Sequence, residues 1–365
     1  MTVFVPAMPR TAQAVDAFDA LAEVDSTNAE LRRRCLAADP FVTGLATQAS
    51  ARSAMNRAGM EQGEGMRGGV AVGALAAQSQ VGGHGRLGRS WTARPGESFV
   101  MSLLAVLPRD LVFGELSGWL TMAAGMATVE GVAATLRRTG AHALADATSV
   151  RLKWPNDVFV VSPDHSSEHG TDAGHERGEK GEKLGGILTE AAELPSSGHA
   201  AEPNDPADMV AFIVGIGLNL GIPADRLPTD SATSLQLHYG PLPGFDELRD
   251  RIGAGIATAL RRELTALAAP QPADAVQSSA RQAAARDLLD RMTPLCWTLG
   301  RPVEVKLVDG SVLHGTAERL GADASLVVRD AAGREHVVHT GDVGVLDGQA
   351  GRNGKARPQR QERNA

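Results

Sequence analysis

The sequence predicts a mixed α+β domain followed by a small all-β barrel. Two observations carry that expectation. Between residues 21 and 294, short apolar runs that suit buried strands are interleaved with long helical patterns. Near residue 297 the pattern changes to short alternating runs split by Asp-Gly, Gly-Ala-Asp and Ala-Gly turns, the signature of a barrel of about 50 residues. The 365 residues are enough for two domains and one sizeable core.

Residues 1–20 carry little pattern and are expected to form a loosely held arm. The α+β domain is placed at 21–294 and the barrel at 295–347. The polar, basic stretch 348–365 is expected to be a disordered tail. DSTNAELRRRCLAA opens a helix, because Thr27 and Glu30 have capping-box spacing and Leu31 begins an apolar stripe. Residues 49–69 and 162–182 are polar without a clean period and read as solvated insertions. Strands are expected at 70–78 and 98–107, then a long apolar helix at 115–139 that Gly140 ends. VRLKW and VFVV are short strands flanking the turn signal PND. KLGGILTE and MVAFIVGIGLNLG supply two more strands, and residues 245–269 form an amphipathic helix.

A net charge of −7 argues against general binding to DNA or RNA, where a basic face supplies most of the affinity. The two cysteines, Cys35 and Cys296, match no metal spacing, and a reduced, cytoplasmic chain is expected. No run of about 18 apolar residues predicts a transmembrane helix, and no secretion signal is visible.

The glycine-rich stretch VGGHGRLGRSW (81–91) combines a backbone that can approach a ligand closely with arginines that suit carboxylates and phosphates. GHGRLG (83–88) formally matches a dinucleotide fingerprint. That reading needs a helix directly after the loop, and Pro95, Gly96 and a further strand follow instead. No kinase elements accompany it. KWPND (153–157) sets a lysine at a strand end before a tight turn, either as an ordinary exposed turn lysine or as a cation for a carboxylate or phosphate. Glycines inside KLGGILTE and GIGLNL mark a sheet bend or the close approach of a ligand or backbone, and Asn219 needs partners if buried. Ser26, Thr27 and Asn28 read as a helix cap, or as polar groups at a helix start that could meet a polar ligand end. His165, His169 and His175 fit no common metal spacing.

Taken in order, DSTN (25–28), GGHGRLGRSW (82–91), RLKWPNDVFV (151–160), KLGGILTE (183–190), FIVGIGLNL (212–220) and the terminal barrel resemble the biotin–protein ligases (biotin–[acetyl-CoA-carboxylase] ligases). The resemblance covers residues 20–346, interrupted by the two insertions. It implies a catalytic domain related to class II aminoacyl-tRNA synthetases and an SH3-like C-terminal barrel. It also implies a two-step reaction. Biotin and MgATP give biotinyl-5′-AMP, which then acylates one lysine of a biotin carboxyl carrier domain. The ligand set implied is ATP, biotin and Mg²⁺, the last with no protein ligands assigned.

By motif, Ser26, Thr27, Asn28 and Gln80 would sit at the biotin ring, and His84, Gly85 and Arg86 would wrap biotin and adenylate. Lys153 would reach the carboxylate or phosphate, and Lys153 and Arg86 are the candidate catalytic cations. Gly83, Arg89, Trp91, Asn156, Lys183 and Asn219 are the implied nucleotide contacts. One position departs from the family's G-R-G-R-x-G-R: His84 stands where the first arginine is usual, which bears on how tightly the loop holds the adenylate.

About 20 residues precede EVDSTN, too few for the winged-helix DNA reader that some family members carry, so a ligase-only type with no DNA or membrane partner is expected. A homodimer is left open. The alternatives are a lipoate–protein ligase or octanoyltransferase and, from another class, a non-catalytic biotin-responsive regulator.

Overall fold

The computed structural model describes residues 4–57, 69–163, 179–194, 208–269 and 280–346. The chain opens with α1 (Pro9–Ala14), β1 (Ala17–Val24), α2 (Thr27–Leu36) and α3 (Pro40–Arg57). Then come β2 (Val72–His84), β3 (Ser90–Ala93), β4 (Ser98–Pro108), α4 (Arg109–Val112), α5 (Ser117–Thr139) and β5 (His142–Ala143). The strands β6 (Ser149–Lys153), β7 (Asp157–Pro163), β8 (Glu179–Glu193), β9 (Met209–Asn219) and β10 (Tyr239–Gly240) precede α6 (Phe245–Leu267) and α7 (Ala280–Met292). The chain closes with β11 (Pro302–Lys306), β12 (Val312–Leu320), β13 (Leu326–Arg329), β14 (Glu335–Val338) and β15 (Asp342–Val345).

The main sheet runs β1-β2-β4-β9-β8-β7-β6, with β3 folded back onto β2. Among the described residues of this sheet, β1 and β2 pair in parallel and the other neighbours are antiparallel. Alternation along the central strands sends side chains to two opposite cores. Met101, Leu103 and Ala105 of β4 face α5 and α6, while Leu104 and Val106 face Leu31, Val42 and Leu45 of α2 and α3. The result is a helix–sheet–helix sandwich. Gly140 ends α5 in the left-handed conformation, at φ 72°. Cys35 and Cys296 are both free and buried, in separate clusters.

Three expectations need correction. The arm is ordered from Met8 onward: Met8, Thr11 and Val15 are buried, and β1 begins at Ala17. The reason is a long-range cap. No side chain caps α1 locally, and Asp250 of α6 instead accepts from the N–H groups of Arg10 (3.1 Å) and Thr11 (2.9 Å). The first insertion begins as helix, since α3 runs to Arg57, and the rest of it to residue 68 lies outside the described residues. The second is framed by paired strands, β7 to Pro163 and β8 from Glu179, which are tied by the Pro163–Glu179 pair. Its histidines 165, 169 and 175, like the tail from 347, lie outside the described residues.

The cap of α2 also differs. Ser26, not Thr27, is the N-cap, accepting from Ala29 N at 3.4 Å. The C-terminal strands form one antiparallel sheet, β14-β13-β12-β11-β15, with β14 and β15 at its edges. It docks on the α+β domain through two indoles: Trp119 Nε1 donates to Ala322 O at 2.7 Å and Trp154 Nε1 to Ala324 O at 2.9 Å.

Candidate active site

A cleft of about 220 Å³ lies where the β2–β3 hairpin overhangs the ends of β6 and β9 and the middle of β8. The hairpin owes its shape to local chemistry. A bulge between Gln80 and Gly83 kinks β2, and Leu87 (φ 57°) and Gly88 (φ 74°) turn the tip. Trp91 on β3 lies across β9, where only a glycine fits: a Cβ on Gly217 would come 2.5 Å from the indole.

Nearly every residue singled out from the sequence lines this cleft: Ser26, Thr27, Asn28, Gln80, His84, Gly85, Arg86, Arg89, Trp91, Lys153, Asn156, Lys183 and Asn219. Gly83 does not. It sits within the hairpin, paired with Trp91, where a Cβ would lie 2.0 Å from Gln80 Nε2 and 2.3 Å from Trp91 O. Its lack of a side chain makes room for Gln80, not for a ligand.

One end of the cleft is polar and neutral. Gln80 Oε1 accepts from Thr27 N at 3.0 Å, and Ser102 Oγ lies 2.7 Å from Thr27 Oγ1 and 2.6 Å from Asn28 Oδ1. Asn28 spends both its donors on Leu188 O (3.2 Å) and Glu190 Oε2 (2.7 Å). Its amide therefore braces the wall of the cleft, and Gly215 is bare because a Cβ would meet Asn28 Oδ1 at 2.4 Å.

The other end is cationic. Lys183 Nζ is 2.7 Å from Asp157 Oδ1, and Lys153 Nζ is 3.8 Å from Asp157 Oδ2. Burial lowers the Lys153 pKa, and Asp157 offsets only part of that. Arg86 donates to Asn156 Oδ1 at 3.2 Å and to Thr340 Oγ1 at 2.9 Å, and burial lowers its pKa too. Arg89 is ion-paired with Asp342. Asn156 and Asn219 hold the strands around them, donating to Ile187 O (2.8 Å) and Thr233 O (2.9 Å). The arrangement suits two anions brought together against cations in a partly dry site.

A sequence profile described as Biotin/lipoate A/B protein ligase family matches residues 70–199. The matched segment holds the glycine hairpin, KWPND and KLGGILTE together. The chain is 29% identical over 270 residues to a biotin–[acetyl-CoA-carboxylase] ligase of Mycobacterium tuberculosis (strain ATCC 25618 / H37Rv), covering 74% of this chain and 77% of that one. Its fold is similar to that of a biotin protein ligase from Aquifex aeolicus solved with biotin and ATP, with a TM-score of 0.51, 19% identity and coverage of 91% and 99%.

Two carboxylates of the cleft were not singled out from the sequence. Asp157 reads as a plain turn residue in PND, and only the fold brings Lys153 and Lys183 to it from different strands. Asp342 comes from β15, about 250 residues from its partner Arg89. No pattern in HTGDVGV signals it. Trp154 also reads differently in place: its backbone N–H donates to Thr298 Oγ1 at 2.9 Å, so the KWPND turn is anchored to the C-terminal segment.

Proposed function

We propose that this chain activates biotin with ATP as biotinyl-5′-AMP and transfers it to one lysine of a biotin carboxyl carrier domain of a carboxylase. The observation that carries the reading is the convergence of Arg86 and Arg89 from a glycine hairpin with Lys153 and Lys183, at one end of a cleft whose other end is neutral and polar. A carboxylate attacking an α-phosphate joins two anions, and fixed cations offset that repulsion. Ser26, Thr27 and Gln80 then face the ureido ring, with Asn28 bracing them. His84, Gly85 and Arg86 cover the anhydride and keep water from it. Arg89, Trp91, Asn156 and Asn219 order the nucleotide end. The long relative named for biotin favours biotin over lipoate as the acyl group.

Among the described residues no three metal-ligating side chains converge. Asp157 and Asp342 are taken up by Lys183, Lys153 and Arg89. The residues do not fit a resident magnesium site, and Mg²⁺ belongs to the reading as part of the MgATP substrate. We further read the α+β domain as class II synthetase-like and the terminal sheet as an SH3-like barrel.

The test is biotin-dependent exchange of pyrophosphate into ATP, followed by a streptavidin blot of a biotin carboxyl carrier domain. Exchange and labelling are expected with biotin. Exchange with lipoate alone, or no exchange at all, would overturn the reading.

A further inference from the structure

A second cleft, of about 750 Å³, opens between the start of α5, the 154–156 turn, β8 and the C-terminal sheet. It shares Arg86, Trp154, Pro155, Asn156, Ile187 and Leu188 with the first cleft, so the two are neighbours across the Arg86–Asn156 hydrogen bond. Nothing in the activation chemistry uses it. Its charged lining is Arg86 at the shared wall, and Glu115, Asp323 and His339 elsewhere. His339 Nδ1 lies 3.1 Å from Asp323 Oδ2. His339 precedes Thr340, the residue that holds Arg86.

Resting on the ligase reading, we propose that this second cleft receives the acceptor lysine and that His339 takes its proton. The chemistry requires such a place. A lysine arrives as an ammonium, which two carboxylates attract, yet it must lose a proton before it can attack. With Asp323 Oδ2 beside Nδ1, the tautomer that carries its proton on Nδ1 is favoured, and its Nε2 lone pair can accept. The ammonium gives one proton to His339 Nε2. Its nitrogen bonds to the carbonyl carbon of the adenylate, the acyl carbon–oxygen bond to phosphate breaks, and AMP leaves with the electron pair. The second N–H proton passes to water. Asp323 is the positioning residue that holds the tautomer.

The experiment separates the two half-reactions in the full chain. In His339→Gln, biotin-dependent pyrophosphate exchange should stay within about twofold of the parent. Transfer from preformed biotinyl-5′-AMP to a biotin carboxyl carrier domain should slow about 100-fold and recover in part with added imidazole. Asp323→Asn should slow transfer less. Ser117→Trp, which fills the second cleft and does not touch the first, should slow transfer with exchange intact. Transfer at the parent's rate in both His339→Gln and Ser117→Trp would overturn the proposal, as would equal loss of both half-reactions. A parent protein without biotin-dependent exchange would instead overturn the ligase reading, and this inference with it.

Discussion

Lys183 Nζ stands 2.7 Å from Asp157 Oδ1, while Lys153 Nζ is 3.8 Å from the other oxygen of the same carboxylate. Asp157 thus neutralises Lys183 first and leaves Lys153 the looser cation of the pair. Lys153 is also the more enclosed, its side chain 14% exposed against 28% for Lys183. It is the cation best placed to meet a developing charge.

Lys153→Ala should therefore slow biotinyl-adenylate formation about 100-fold, or about 3 kcal/mol of barrier, with the fold intact. Pyrophosphate exchange with a thermal unfolding scan checks this. Parent-like exchange would remove Lys153 from the reaction.

The alkaline limb of kcat/KM for adenylation should fall below the ordinary lysine pKa. Burial lowers the Lys153 pKa, so the active cation loses its proton earlier as pH rises. Asp157→Asn removes the charge that opposes this, and should move the limb lower still. Stability runs the other way. Between the lowered value and the ordinary one of about 10.4, the unfolded chain binds more protons, so Lys153 makes stability rise with pH in that window. A pH profile beside denaturant melts separates the two effects. A limb at the ordinary lysine value would contradict the burial argument.

Arg89→Ala and Asp342→Ala should each speed release of biotinyl-5′-AMP, and the double variant should release it no faster than the quicker single one. The two side chains are 51% and 34% exposed, so their coupling should not exceed about 1 kcal/mol. Burial raises the Asp342 pKa, but the hydrogen bond and charge of Arg89 outweigh it and leave the carboxyl below its ordinary value. Additive effects in the cycle would show that the two residues act separately.

Gly217→Ala puts a Cβ 2.5 Å from the Trp91 indole, so the ring and its hairpin must shift. Overpacking of this kind costs about 1–3 kcal/mol, and adenylation should fall with it. Gly44→Ala, in α3 with nothing within 4 Å of the new methyl, is the control and should be neutral or stabilising. Equal melting temperatures for the two variants would refute the close approach.

His84→Arg should slow adenylate release several-fold. His84 lines the cleft from β2, opposite Ser90, and is exposed. An arginine there offers five donors and a permanent charge to the same anion. An unchanged release rate would mean that this side chain points away from the adenylate.

Much of the site was legible in the chain because its parts are local. The glycine hairpin, KWPND, KLGGILTE and GIGLNL each mark their own turn or bare strand, and ordered together they carry the family resemblance. The layered α+β fold follows from the continuous apolar runs at 98–107 and 209–219, buried on both faces, and from the long apolar helix that Gly140 ends. What the tertiary structure alone decided are pairings between distant segments. Asp250 caps α1 from about 240 residues away, Asp342 meets Arg89 from another sheet, and Asp157 becomes a shared counter-ion only when β8 lies beside β7. The glycines divide along the same line. Gly88 at φ 74° is explained by its own backbone, whereas Gly83, Gly215 and Gly217 are explained by Gln80, Asn28 and Trp91. Local conformation and hydrophobic period are written along the chain, but a charge's partner and a glycine's neighbour exist only once the segments have packed.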